Sequence, residues 1–292
     1  MFVQNTFKEK LKSSQFLITG EVSPPKGIDY LPAIENMKKI QSFTDAVNVT
    51  DNQCATLHMS SLAFSRLLLE NGCKEPIMQM TCRDRNRIGL QADLLGAAAL
   101  GIPNLLVMSG DHPKCGDHPF AKAVYDLDSV QLLKTIQNLK NGSDLSGNPL
   151  SSAPDFCVGV VSNADPNERL QILKLEKKLS FDVDFIQTQA IFDIEKFKEF
   201  IETANVTVPV IAGIIPIRSV QMVKYMDSVI PGISIPKEIQ ERIESSENPV
   251  AEGMEIASEL IQKLKPFCRG IHMMPVGAHN YTEEILKKAN VL

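Results

Sequence analysis

The sequence predicts a single (β/α)8 TIM barrel over residues 1–292, with a helical insertion before the eighth strand. Short apolar runs recur eight times and each is followed by a helical stretch, the pattern of a parallel sheet buried on both faces. The 292 residues, 43% hydrophobic and 22% charged, suffice for one such barrel of roughly 250 residues. No linker divides the alternation. No G-x-G-x-x-G follows the first strand, which argues against an open doubly wound sheet.

Taken in order, Phe16 to Val22 (F-L-I-T-G-E-V) reads as a strand, closed by Pro24-Pro25 because paired prolines cannot continue a ladder. Leu31, Ile34, Met37 and Ile40 have helical spacing. Asp45 to Thr50 reads as the second strand, with a helix from about His58 to Asn71. Pro76 to Cys82 is the third, and its helix, Asn86 to Leu100, carries Ile88, Leu90, Leu94, Leu95 and Ala98 along one broad face. Asn104 to Met108 is the fourth, and a long loop past Tyr125 leads to a helix from Asp128 to Leu139. Phe156 to Val161, Asp184 to Gln189 and Val208 to Ile214 follow as strands five to seven, each with its helix: Pro166 to Leu179, Ile194 to Thr203 and Ser219 to Ser228. Helical stretches near 236–243 and 250–264 form the insertion before strand eight, Gly270 to Pro275, and Tyr281 to Lys288 closes as the last helix.

Composition excludes several functions. A net charge of −5 disfavours a nucleic-acid partner. No apolar run reaches membrane-span length, and Met1 to Ser14 has no signal-peptide core, so a cytoplasmic protein is expected. The six cysteines are scattered without a C-x-x-C pair and read as buried free thiols. The five histidines show no H-E-x-x-H, so no metal site is expected.

In such a barrel the chemistry is built at the C-terminal ends of the strands. Glu21, Thr50, Gln79, Thr81, Ser109, Asp111, Ser162, Asn163, Gln187, Gln189 and His272 fall there. Asp111, just past a buried strand, either orients a polar ligand or is a turn aspartate accepting backbone N–H bonds. No Gly-rich phosphate loop follows strand seven, and no lysine stands on strand six for a Schiff base. Two carboxylates and several amides suit a neutral ring rich in hydrogen-bonding groups.

Five motifs in order resemble the methylenetetrahydrofolate reductases, flavin-dependent (β/α)8 barrels. They are G-E-V-S-P-P-K at Gly20 to Lys26, N-V-T at Asn48 to Thr50, L-V-M-S-G-D ending at Asp111, Q-T-Q-A-I-F-D at Gln187 to Asp193, and V-I-A-G-I-I-P-I at Val210 to Ile217. The resemblance implies Glu21 as general acid, Asp111 as a carboxylate between flavin and pterin, and Gln189 as a pterin-binding amide. It also implies cofactor contacts at Thr50, Gln79, Ser109, Gly110, Asp111, Tyr125, Asp128 and Lys178. The implied reaction reduces 5,10-methylenetetrahydrofolate to 5-methyltetrahydrofolate.

Departures mark a divergent, anaerobe-type member. Gln79 replaces a histidine common in the family, Ser109 stands where many members have arginine, Val161 where a tyrosine is common and Asp165 where a histidine is. Met274 to Ala278 replace the usual aromatic and arginine after strand eight. FAD follows from the resemblance, and the departures leave FMN open. The electron donor is NAD(P)H or a partner subunit, and a homo-oligomer or larger complex is open. Two alternatives compete with the reductase: a pterin-binding methyltransferase barrel feeding a corrinoid protein, and a non-catalytic barrel subunit of a redox complex.

Overall fold

The computed structural model describes residues 6–230 and 232–292. In chain order these form α1 (Phe7–Leu11), β1 (Leu17–Val22), α2 (Leu31–Ile40), β2 (Ala46–Val49), α3 (Ser61–Glu70), β3 (Pro76–Thr81), α4 (Arg87–Ala99), β4 (Asn104–Met108), α5 (Ser129–Lys140) and β5 (Cys157–Ser162). There follow α6 (Arg169–Leu179), β6 (Phe185–Ala190), α7 (Ile194–Thr203), β7 (Val210–Ile214), α8 (Val220–Val229), α9 (Lys237–Ser245), α10 (Pro249–Leu264), β8 (Gly270–Met273) and α11 (Thr282–Lys288). Each strand pairs in parallel with its sequence neighbours, and β8 returns to β1 with Gly270 opposite Leu17, so the sheet closes into a barrel. The predicted (β/α)8 architecture is observed. The insertion before β8 is α9 with α10, joined by Arg242, which bonds Glu252 and Glu259.

Alternation along the strands stacks the inward side chains in layers. The lowest layer is apolar, with Leu17, Ala46, Ile77, Leu106, Phe185 and Ile211 packed together. Helix α1 seals it from below. Phe7 and Leu11, one turn apart on one face, are buried there, and Phe7 meets Phe185 edge to face at 5.4 Å. Gly159 leaves room for the Phe185 ring, since a side chain there would collide with it. The periodicity of the sequence does not reveal α1, because five residues are too few to show a helical stripe. Its readable signal is the reciprocal capping box between Thr6 and Glu9.

Two apolar faces are narrower than expected. On α4 the buried residues are Leu90, Leu94 and Ala97, while Ile88 and Leu95 are exposed; on α2 Leu31 is exposed and Ile34, Met37 and Ile40 are buried. Leu31 and Ile88 lie in first turns, and a helix that starts near the strand ends has little sheet beneath its first turn. The thiols also depart from expectation: Cys54 and Cys115 are exposed, on 3₁₀ turns in the loops after β2 and β4, whereas Cys73, Cys82 and Cys157 are buried. Among the described residues no helix is long and apolar enough to cross a membrane.

Because α1 closes the barrel floor through one aromatic ring, Phe7→Ala is expected to destabilise the protein by about 3–5 kcal/mol, the usual cost of deleting a buried phenyl group. Urea unfolding of both proteins measures this, and a loss below about 1 kcal/mol would mean that α1 is not part of the cooperative core.

Candidate active site

Above the floor the inward positions become polar. Thr19, Asn48, Gln79, Gln187 and His272 are buried and bond one another. Asn48 Nδ2 donates to Gln187 Oε1 at 3.1 Å and reaches His272 Nδ1 at 3.4 Å, while Gln79 Nε2 donates to Asn48 Oδ1 at 3.4 Å. Thr19 Oγ1 lies 3.0 Å from the same His272 Nδ1. Both groups thus converge on Nδ1, which leaves Nε2 as the ring nitrogen turned away from the network. That nitrogen is buried without a hydrogen-bond partner and faces Glu21 Oε2 at 3.5 Å. Glu21 thus stands at the top of the polar layer, two residues along β1 from Thr19, with its carboxylate largely covered.

Two further groups face the mouth. Thr50 Oγ1, just past β2, is buried and has no partner. Gln189 lies where the β6–β7 register slips between Gln187 and Ala190. Gly213 permits that bulge, because a side chain there would strike the carbonyls of Thr188 and Gln189. The Gln189 amide is partly exposed and is engaged by no described residue.

After β4 the chain turns sharply at Gly110, whose φ of +83° and contact with the Thr81 side chain require glycine. Tyr125 donates its hydroxyl to Gly110 O at 3.0 Å, and Arg83 Nη1 donates to Asp111 O at 3.4 Å. The Asp111 main chain is held in this way, while its exposed carboxylate accepts no hydrogen bond from a described residue. Arg83 also donates to the carbonyls of Asp51 and Asn52 and pairs with Asp84. Asp51 Oδ2 in turn receives the Thr81 N–H and hydroxyl, each at 2.9 Å, and the Arg85 guanidinium. One buried arginine and one buried aspartate therefore brace the loops after β2, β3 and β4.

A cationic corner lies beside them. Lys174 Nζ donates to Ser109 Oγ at 3.2 Å, and Ser109 Oγ is 3.4 Å from Ser129 Oγ at the start of α5. Lys178 is only 6% exposed and donates to Val161 O at 2.7 Å. Burial, followed by the nearby Lys174 charge, lowers its amine to about 8. Asp128 caps α5, its Oδ1 accepting from Val130 N at 2.9 Å and Gln131 N at 2.8 Å, so one of its oxygens already has a structural task. Among the described residues no three His, Cys, Asp or Glu side chains are grouped to hold a metal ion.

Glu21, Thr50 and Gln79 converge inside the barrel. Ser109, Gly110, Asp111 and Tyr125 sit together at the rim after β4, and Lys178 and Asp128 flank the α5 corner. Sequence reasoning passes over Thr19 and Asn48, whose signal is a polar residue at an inward position of an otherwise apolar strand. It also passes over Arg83 and Asp51. His279, in the loop after β8, lies against the Glu21 main chain; burial lowers its pKa, opposed by its bond to that main chain.

The family model for methylenetetrahydrofolate reductase matches residues 6–290. Methylenetetrahydrofolate reductase 1 of Schizosaccharomyces pombe is 25% identical over 228 residues, 74% of this chain and 34% of the relative. The 5,10-methylenetetrahydrofolate reductase of Buchnera aphidicola is 24% identical over 245 residues, 81% of this chain and 78% of the relative. The chain spans about a third to a half of the length of the two S. pombe relatives it matches, 34% and 47%. A solved structure with the same fold, at a TM-score of 0.64 and 16% identity over 97% of this chain and 98% of its own, is a Clostridium thermocellum protein that binds two copies of 5-methyl-5,6,7,8-tetrahydrofolic acid.

The buried Lys178 amine yields a pH signature. With its folded pKa lowered to about 8 from 10.5, the native state releases this proton before the unfolded chain does, so stability rises with pH between these two values. The slope is at most about 1.4 kcal/mol per pH unit. Lys178→Met is expected to lack this contribution, so wild type should gain on the variant in urea unfolding between about pH 8 and 10. Parallel profiles would mean that the amine is solvated.

Proposed function

The chain belongs to the methylenetetrahydrofolate reductase family, and from that premise we propose that it is a flavin-dependent reductase converting 5,10-methylenetetrahydrofolate to 5-methyltetrahydrofolate. The observation that carries this reading is the set of polar groups left without protein partners at the mouth. Thr50 Oγ1 is a buried orphan, and the Gln189 amide and Asp111 carboxylate are unengaged. Orphaned buried groups are costly unless a ligand supplies the missing bonds. A flat heterocycle with donors and acceptors on its edges fits this set. The Lys174, Lys178 and Ser109 corner beside the N-terminus of α5 suits a nucleotide phosphate, so Thr50, Gln79, Ser109, Gly110, Tyr125 and Lys178 would hold the flavin nucleotide. One such corner is enough for the phosphate of FMN, and the mass of the released flavin distinguishes it from FAD.

When bound, the flavin supplies the hydride that no side chain can carry. The protein contributes placement and proton transfer. Gln189 can donate and accept at once and so would pair with a pterin edge, a reading supported by its partly exposed amide beside the β6 bulge. Glu21 would protonate the amine released when the folate five-membered ring opens. His272 Nε2, facing Glu21 Oε2 at 3.5 Å, would hold that carboxyl in position. Asp111, negative and unpaired at the rim, would hydrogen-bond the pterin.

The test begins with the purified chain, which should be yellow and, with a reduced dye as donor, should form 5-methyltetrahydrofolate. A colourless protein that still binds folate would instead favour a corrinoid-linked methyltransferase. Glu21→Gln should keep flavin and its reduction by dye while folate turnover falls about 10²–10⁴-fold; a loss under tenfold would remove Glu21 as the acid. Asp111→Asn should raise the flavin midpoint potential by on the order of tens of millivolts, because a nearby negative charge opposes formation of the reduced anion. A dye-equilibrated titration measures it, and an unchanged or lower potential would mean that Asp111 faces away from the ring.

A further inference from the structure

Two of the six thiols differ from the rest. Burial pushes the Cys73 thiol up to about 11 and those of Cys82 and Cys268 up to about 12, and it raises Cys157 further still. Such thiols are chemically inert near neutral pH. Cys54 and Cys115 are exposed.

These two are neighbours in space. Cys54 lies on the 3₁₀ turn Gln53–Ala55 after β2, and Cys115 ends the turn Pro113–Cys115 after β4. The turns touch, for Gly116 packs so closely on the Ala55 carbonyl that any side chain at 116 would collide with it. Left-handed backbone at Asn52, Cys54 and Ala55 (φ of +48°, +53° and +55°) folds the first turn tightly. Asp111 and Glu21 border the same spot. Burial, and then the negative charges of Asp111, Glu21 and Cys115, raise the Cys54 thiol, while Arg83 opposes them.

We propose that Cys54 and Cys115 are an oxidisable pair that closes into a disulfide at the barrel mouth, tying the loop after β2 to the loop after β4. A low-molecular-weight disulfide such as glutathione disulfide is the oxidant. The Cys115 thiolate attacks one of its sulfurs, the S–S bond breaks, and one glutathione leaves as a thiol. Cys54 then gives its proton to solvent and displaces the second glutathione, forming the Cys54–Cys115 bond. The protein loses two protons and two electrons, and the oxidant gains them as two thiols. Cys115 attacks first because burial, and then the Asp111 and Glu21 carboxylates, raise the Cys54 thiol. The bridge would pin the two loops that border Glu21 and Asp111; its effect on turnover rests on the reductase reading above, but its formation does not.

The experiment uses the full chain, reduced and then treated with glutathione disulfide. Before oxidation, a chromogenic disulfide should titrate two thiols rapidly in the native protein and all six after unfolding. After oxidation both rapid thiols should be lost, the mass should fall by two hydrogens, and a proteolytic digest should yield a peptide joined through Cys54 and Cys115. Cys54→Ser should instead retain one glutathione on Cys115. Stable glutathione adducts on both cysteines without a cross-link, or a bridge to any of the other four, would overturn the proposal. Turnover before and after oxidation is read on the same samples. A bridge forming in a chain that never reduces folate counts against the reductase reading and leaves the thiol pair standing. In an active chain the bridge should change KM for the folate at least about threefold, reversibly with dithiothreitol and not in Cys115→Ser; an unchanged KM would overturn the placement at the mouth.

Discussion

The structure depends on a buried hydrogen-bond network in the middle of the barrel. Polar atoms removed from water must be paired, and the interior of a closed barrel offers only the inward side chains of other strands as partners. Asn48 satisfies this by linking β2 to Gln79 on β3, Gln187 on β6 and His272 on β8. The network can remain dry because Phe7 and the apolar layer beneath it exclude water from the floor. Its upper boundary is where pairing stops: His272 Nε2 has Glu21 before it, and Thr50 Oγ1 has nothing. The same constraint that orders the core therefore leaves donors directed at the mouth.

The rim is held by a different device. Loops after strands have no ladder to position them, and here a single buried guanidinium, Arg83, gathers the carbonyls of Asp51, Asn52 and Asp111. Removing such a group would leave several acceptors unpaired at once, so Arg83 ties the loops after β2 and β4 to the end of β3. This explains how an exposed carboxylate at Asp111 can keep a defined place without spending its oxygens on the protein. It also brings two thiols from distant parts of the chain onto one small surface.

The cationic corner follows another balance. Lys178 is buried at the cost of a lowered pKa, opposed by the nearby Asp128 charge, and it donates to the Val161 carbonyl. Lys174 lies close by and adds to that cost. Two ammonium groups side by side, with the start of a helix facing them, are an arrangement that an anion relieves.

The sequence by itself determined the barrel, the order and type of its sixteen main strand and helix segments, the insertion before β8, and the side chains at the strand ends. It could do so because a strand buried on both faces and a helix with one apolar stripe leave periodic marks in the local sequence. The family was legible in the motifs around Glu21, Asp111 and Gln189 for a related reason, since each is a short contiguous stretch. Helix α1 was not legible as a plug, because five residues show no period and the role of Phe7 depends on a cavity made by Gly159 and Phe185 from other strands. The Asn48 and His272 network, the Arg83 brace and the meeting of Cys54 with Cys115 were decided only by the tertiary structure. Each joins residues tens to hundreds of positions apart, and the bonds they make depend on barrel closure and loop packing, which no local pattern records.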